Sequence, residues 1–230
     1  MDGVHDMGGM HGFGSVVHPG SELVFHEAWE GRVFALSQLT GQLGFGAGPG
    51  GRALKEEMPP DRYLAASYYE RSLWSMERRL QAKGTVEPGE VERMVERLGS
   101  GRPPSLPAVD PGPGQREMML AALREIEPLR PVGSARFAVG ETVRVRRIHP
   151  KGHTRCPRYA RGVAGRIERL QGSDALPDLA AYGLDAPVET VYSVSFRSDD
   201  LWGPSAEGTW TVLLDLWESY LEPVREADVT

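Results

Sequence analysis

Apolar residues recur at Trp29, Val33, Phe34, Leu36, Leu39 and Leu43, mostly three or four apart. That spacing predicts a helix packed along one face. The run GFGAGPGG, Gly44 to Gly51, cannot sustain a helix, because its glycines lose the most backbone entropy and Pro49 lacks a donor. Beyond Pro59 and Pro60, Asp61 is expected to cap a helix carrying Leu64, Tyr68, Leu73, Met76 and Leu80. Thr85 is expected to cap another, with Val91, Met94, Val95 and Leu98 on one side. Residues 99–114 contain Pro103, Pro104, Pro107, Pro111 and Pro113 and read as a semi-rigid connector, followed by a short helix from Gln115 to Ile126.

After Pro131 the pattern changes. FAVGETVRVRRI, RGVAGRIERL, TVYSVSF and GTWTVLLDLW are short β-rich runs separated by Gly, Pro and Asp, and they predict a small antiparallel barrel. Residues 1–28 show neither period and read as an extended arm. An arm frays unless it docks, and Val4, Met7, Met10, Phe13, Val16 and Val17 are better buried on a partner than left in water. The expected organisation is an arm (1–28), a helical domain (29–132) and a β domain (133–230).

Composition narrows the function classes. With 40% hydrophobic residues the 230-residue chain can bury a core, while a formal net charge of −6 excludes the basic stripe that duplex nucleic acid requires. The first twenty residues carry no basic n-region and no long apolar run, and no stretch reaches the ~18 apolar residues of a membrane span, so a soluble cytoplasmic protein is expected. One cysteine, Cys156, excludes an internal disulfide framework and a thiolate cage built by this chain alone.

Several constellations invite chemistry. His5, His11 and His18 lie in the arm, but their spacing fits no fixed face for a metal. Gly9, Gly12 and Gly14 imitate part of a phosphate loop without the preceding strand or the following Lys-Ser/Thr. PKGHTRCPRYARG, Pro150 to Gly162, gathers Lys151, His153, Arg155, Arg158 and Arg161 between two predicted strands. Clustered guanidinium groups suit an oxyanion or a partner's acidic patch, although a solvated basic loop has the same composition. Cations beside Cys156 would lower a thiol pKa, yet a lone cysteine without a base is ordinarily inert. Tyr68 and Tyr69 are adjacent on a predicted helix and point about 100° apart, so one faces a cleft and ordinary packing accounts for the other. Trp202, Trp210 and Trp217 read as barrel core or interface.

Taken in order, several segments resemble the β subunit of nitrile hydratase, closest to the cobalt-type enzymes. They are MDGVHDMGGMHGFG, FHEAWEGR, YLAASYYERSLW, FAVGETVRVRRIHPKGHTRCPRYARG, LWGP and LDLWESYLEPV. The resemblance implies an α+β chain whose barrel is SH3-like. It implies a metal, non-corrinoid Co(III) or non-haem Fe(III), held by an α subunit through a Cys-x-x-Cys-Ser-Cys segment with two oxidised cysteines, and no metal ligands in this chain. Two β-subunit arginines hydrogen-bond to the cysteine oxygens, and the matching residues are Arg52 and Arg155. Tyr68 matches a tyrosine that lines the pocket, with Tyr69 beside it.

Departures from the family pattern fall at the pocket. Arg71 and Ser72 stand where His-Trp is common, Gly48 where a larger residue is common, and Gln171-Gly172 where a His-Gly pair is found. The missing bulk implies a wider pocket for larger aromatic or heterocyclic nitriles; Arg71 either binds an acidic group on the substrate or faces solvent, the second being favoured. The implied assembly is an obligate complex with the α subunit, as αβ or (αβ)2, hydrating a nitrile to its amide, with an activator protein as a further partner. Two other readings stand beside it: a non-catalytic activator or interaction protein of the same system, and a thiocyanate-hydrolase-like subunit, in which the two halves of this chain are separate polypeptides.

Overall fold

A computed structural model of the chain describes residues 2–16, 23–42, 50–101 and 129–224 and the single positions 114, 117, 120 and 121. Most of the expected connector, most of the Gln115 to Ile126 helix, and Gly48 lie outside the described residues. The chain divides into two compact units, Pro19–Glu127 and Met1–His18 with Pro128–Thr230. Helices build the first and a five-stranded antiparallel sheet the second.

In the helical unit α1 spans Ala28–Gln42, as the periodicity predicts. Its start is capped from within: the Glu30 carboxylate accepts from the backbone N–H of His26 at 2.6 Å and of Glu27 at 3.3 Å. A helix that the apolar spacing did not announce follows, α2 at Gly51–Glu56. Six residues are too few to show a period, but Ala53 and Leu54 are buried and seat it.

The single helix expected from Asp61 is two, α3 at Pro60–Ala65 and α4 at Tyr68–Ala82. Pro60 takes the first helical position, for which its fixed φ and missing N–H suit it, so Asp61 sits inside the first turn. Ser67 then starts α4 with a reciprocal cap, its hydroxyl accepting from Glu70 N–H while the Glu70 carboxylate accepts from Ser67 N–H at 2.6 Å. Thr85 is likewise no cap for the next helix. Its N–H donates to Leu80 O, and with Gly84 at φ +67° it closes α4 in a Schellman turn, so that α5 begins at Glu90 and runs to Gly99. α4 packs on α1 and α2, burying Trp74 and Met76. Phe34, Leu36, Leu64, Leu73, Val95 and Leu98 stay exposed.

In the other unit β1 (Thr142–Val145), β2 (Ala164–Ala175), β3 (Val188–Arg197), β4 (Thr211–Trp217) and β5 (Leu221–Pro223) order as β4-β3-β2-β1-β5. β3 is an interior strand and buried almost continuously, whereas β4 alternates as a sheet edge should. Among the described residues the ladder is open between β4 and β5, which a 3-10 turn at Glu218–Tyr220 joins. Register shifts in β2 at Ile167/Arg169 and Leu170/Gly172 bend it. The core includes Phe137, Val143, Ile167, Tyr192, Phe196, Leu216 and Tyr220.

The two buried tyrosine hydroxyls of this core are hydrogen-bonded, whereas Trp217 Nε1 beside it has no partner among the described residues. Tyr192 donates to the Glu218 carboxylate at 2.5 Å and accepts from Arg136 N–H, and burial followed by that carboxylate pushes its pKa up to about 12. Of the three β-domain tryptophans, Trp217 packs partly buried against the sheet's core, Trp202 stacks on Tyr159 and Trp210 is exposed. Cys156 belongs to the core, 1% exposed, and burial pushes its thiol up to about 11 against the opposing pull of Arg161. Desolvation of the thiolate therefore outweighs the cations that surround it in sequence.

Two outcomes follow. Ser67→Ala should cost about 1 kcal/mol of stability in the helical unit, read from chemical denaturation. A thiol-reactive disulfide reagent at about pH 8 should label no cysteine in the native chain and one after denaturation; prompt native labelling would contradict the burial of Cys156.

Candidate functional site

The sequence-selected residues fall on both units, each of which presents its own constellation. On the helical unit, Arg52 sits in the first turn of α2 and is exposed, and among the described residues no hydrogen bond or ion pair holds its guanidinium. Tyr68 opens α4 and is 67% exposed. Tyr69, half-buried, packs its ring 5.5 Å from Phe25 and 5.1 Å from Tyr68. One tyrosine of the pair is thus packing and the other faces outward, as their 100° separation requires.

Arg71 does not face solvent. Its Nε and Nη2 donate to Ala66 O at 3.1 and 2.9 Å, and the guanidinium lies 4.5 Å from the Tyr63 ring centroid. The break between α3 and α4 leaves that carbonyl without a helical partner, and Arg71 satisfies it. Ser72 is buried, donates to Tyr68 O at 3.0 Å and accepts from Lys55 Nζ at 2.9 Å. Lys55, which the sequence reading passed over, also lies 5.0 Å from the Tyr68 ring centroid. Its ammonium pKa is lowered, first by burial and then by Arg52 and Arg71. Arg52, Lys55, Tyr68, Arg71 and Ser72 therefore form one cationic, aromatic patch.

On the β unit the cations of Pro150 to Gly162 separate by role. Arg161, with a side chain 4% exposed, donates to Asp2 Oδ1 at 2.5 Å and, through Nε and Nη2, to Cys156 O. Arg158 donates from its backbone N–H to Asp6 Oδ2 at 2.9 Å and from Nη2 to Asp6 O at 3.0 Å. His153 is buried and its backbone N–H donates to Tyr182 OH. Lys151 and Arg155 remain exposed. Arg155 is positioned by its backbone, whose N–H donates to Tyr220 OH at 3.2 Å. The tyrosine donates in turn to Asp178, and burial and that carboxylate hold its pKa far above the usual range.

The arm is what grips the loop. Asp2 lies 2.6 Å from His149 Nδ1 as well as on Arg161, and the His149 hydrogen bond, followed by Arg161, lowers its pKa to about 2 against a burial penalty. A depressed carboxylate stabilises the folded arm above its ordinary pKa and loses that contribution as pH falls toward 2. Gly8 and Gly9 let the arm lie flat, because a Cβ would come within 2.4 Å of Tyr159 Cε1 and of Trp202 Nε1 respectively. Met10, Phe13 and Val16 beyond them are exposed. Of the later departures, Gln171 bonds across the sheet to Asp215 at 3.0 Å.

Two concave sites on the β unit, of about 350 and 430 Å³, are lined by residues such as Glu189 and Glu218, or Arg144, Arg147 and Asp200, and neither is lined by Arg155. Among the described residues no three His, Cys, Asp or Glu side chains gather to hold a metal, and the neutral buried Cys156 does not suit a ligand. No helix of the described residues is long and apolar enough to cross a membrane.

Comparison with known proteins covers both units. Residues 1–116 match the nitrile hydratase beta subunit, N-terminal family, and residues 128–223 the nitrile hydratase beta subunit, C-terminal family. The cobalt-containing nitrile hydratase subunit beta of Pseudonocardia thermophila is 33% identical over 97% of both chains. The nitrile hydratase subunit beta of Pseudomonas putida is 35% identical over 97% of this chain and 100% of its own. The thiocyanate hydrolase subunit alpha of Thiobacillus thioparus is 34% identical, but over 39% of this chain and 73% of its own. Both halves, in order and over nearly the whole length, place the chain in the nitrile hydratase beta subunit family.

Proposed function

We propose that this chain is the β subunit of a nitrile hydratase and that, with an α subunit, it hydrates a nitrile to the amide. The observation that carries the proposal is the match of both family halves within one undivided chain. It weighs against a thiocyanate-hydrolase-like subunit, whose similarity stops at 39% of the chain, and against an activator, which would lack the sheet unit and its arginine loop.

The metal belongs to the partner on this reading, cobalt by similarity to the cobalt-containing relatives, with iron the alternative. Bound there, it supplies Lewis-acid activation of the nitrile or of water. This chain's residues do the rest. Arg52 and Arg155 present planar forks to the partner's oxidised cysteine oxygens, a charge-assisted pairing that a lysine cannot reproduce. Tyr68 lines the pocket with an exposed ring and hydroxyl. Arg155 is held in register by Tyr220 and by the arm's grip on its loop, the kind of outer support that fixes a group acting on a metal's ligands.

The exposed apolar side chains support an obligate partner: Phe34, Leu36, Leu64 and Leu73 on the helices, and Met10, Phe13 and Val16 on the arm. A partly open, SH3-like barrel is supported by the strand order and the 3-10 turn that carries β4 into β5. An αβ pair is the smallest assembly the reading requires, and its place is the cytoplasm.

In the αβ complex, Arg52→Lys and Arg155→Lys should each lower kcat/KM by about tenfold or more, since a charge-assisted fork contributes about 1.5–3 kcal/mol. Steady-state hydration of a nitrile checks this, and undiminished turnover in both variants would refute the two assignments.

A further inference from the structure

We propose that Lys55 is the specificity-determining residue of the nitrile pocket and that its ammonium selects nitriles bearing a carboxylate. The proposal rests on the function given above and names the substrate class for that site. It begins at Ser72. The family commonly places a tryptophan there, and its loss alone implied extra room for large neutral rings. The room is not left open: Lys55 reaches from α2 to Ser72 Oγ at 2.9 Å and lies 5.0 Å from the Tyr68 centroid. An aromatic wall has become a cationic one.

Three observations assign that charge to substrate. First, the other cations have tasks. Arg71 is bound to Ala66 O and stacked on Tyr63, and Arg52 is the residue that the family resemblance directs at the partner's oxidised cysteines. Second, an ammonium has three donors, and among the described residues one is accepted, by Ser72. Third, apart from the face of the Tyr68 ring, no group among the described residues offsets the charge. No carboxylate among the described residues pairs with Lys55; burial weighs most against its charge, and Arg52 and Arg71 add to that as like charges. Glu56 and Glu57 leave α2 about 100° and 200° around from Lys55. A half-buried cation among like charges is costly until an anion joins it. A neutral nitrile offers no such group, whereas a carboxylate remote from the C≡N bond does.

The test uses the αβ complex with two substrates of similar shape, 4-cyanobenzoate and 4-methylbenzonitrile. Wild type should favour the anionic substrate in kcat/KM, and the preference should shrink as salt rises from about 0.05 to about 0.5 M. Lys55→Met keeps length and helix propensity but removes the charge, and should lower the ratio of the two kcat/KM values by about tenfold or more. Lys55→Arg should restore part of it. Should the Met variant fail to assemble, benzoate and benzyl alcohol as inhibitors of wild-type hydration give the same reading, with benzoate effective at a concentration about tenfold lower. A wild-type complex that hydrates both nitriles without preference, a ratio unmoved by Lys55→Met, or equal inhibition by benzoate and benzyl alcohol would overturn the inference and leave the nitrile hydratase reading intact. Hydration of neither nitrile would overturn both.

Discussion

The arrangement around Arg155 depends on two carboxylates at the start of the chain. Asp2 and Asp6 meet Arg161 and Arg158 across about 150 residues of sequence. Arg161 is almost wholly buried, and a guanidinium in that position is tolerable only because Asp2 Oδ1 and Cys156 O accept from it. With its pKa lowered to about 2, Asp2 is ionised at neutral pH and can hold both Arg161 and His149. It fixes the far end of the loop that carries Arg155, while Tyr220 fixes Arg155 itself. The arm therefore organises its own chain's arginine loop and still offers Met10, Phe13 and Val16 outward.

The helical unit shows the complementary constraint. Among its described residues the buried apolar set is Val33, Ala53, Leu54, Met58, Trp74 and Met76, and comparably large side chains remain on its surface. Exposure on that scale agrees with a subunit whose surface is completed by another chain. Arg52 and Arg71 act as like charges on Lys55, and on the proposed reading an anionic group of the partner or substrate offsets that repulsion.

Much of this was legible in sequence, and the failures have physical causes. The α1 helix and the four β-rich runs were readable because periodicity reports burial on one face. Asp61 and Thr85 misled because a cap is decided by which residue lies next to the first helical turn: Pro59 and Ser67 hold those positions for α3 and α4, and Thr85 closes α4 from behind. Cys156 illustrates the limit of composition, since neighbouring cations in sequence do not outweigh burial in space. The basic loop was found by its arginines, but only tertiary contacts separate Arg158 and Arg161, held by the arm, from the outward Arg155. Lys55 gave no sequence signal at all, because its meaning comes from Ser72 and Tyr68 on another helix.

On the proposed reading this chain contributes side chains to a centre whose metal ligands lie on a partner. The most direct measurement is cobalt content and amide formation for the chain purified alone and for the chain co-expressed with an α subunit carrying Cys-x-x-Cys-Ser-Cys. The account predicts neither bound cobalt nor hydration for the chain alone, and both for the complex, with one metal per αβ pair. Stoichiometric cobalt on the isolated chain, or hydration without the α subunit, would contradict it.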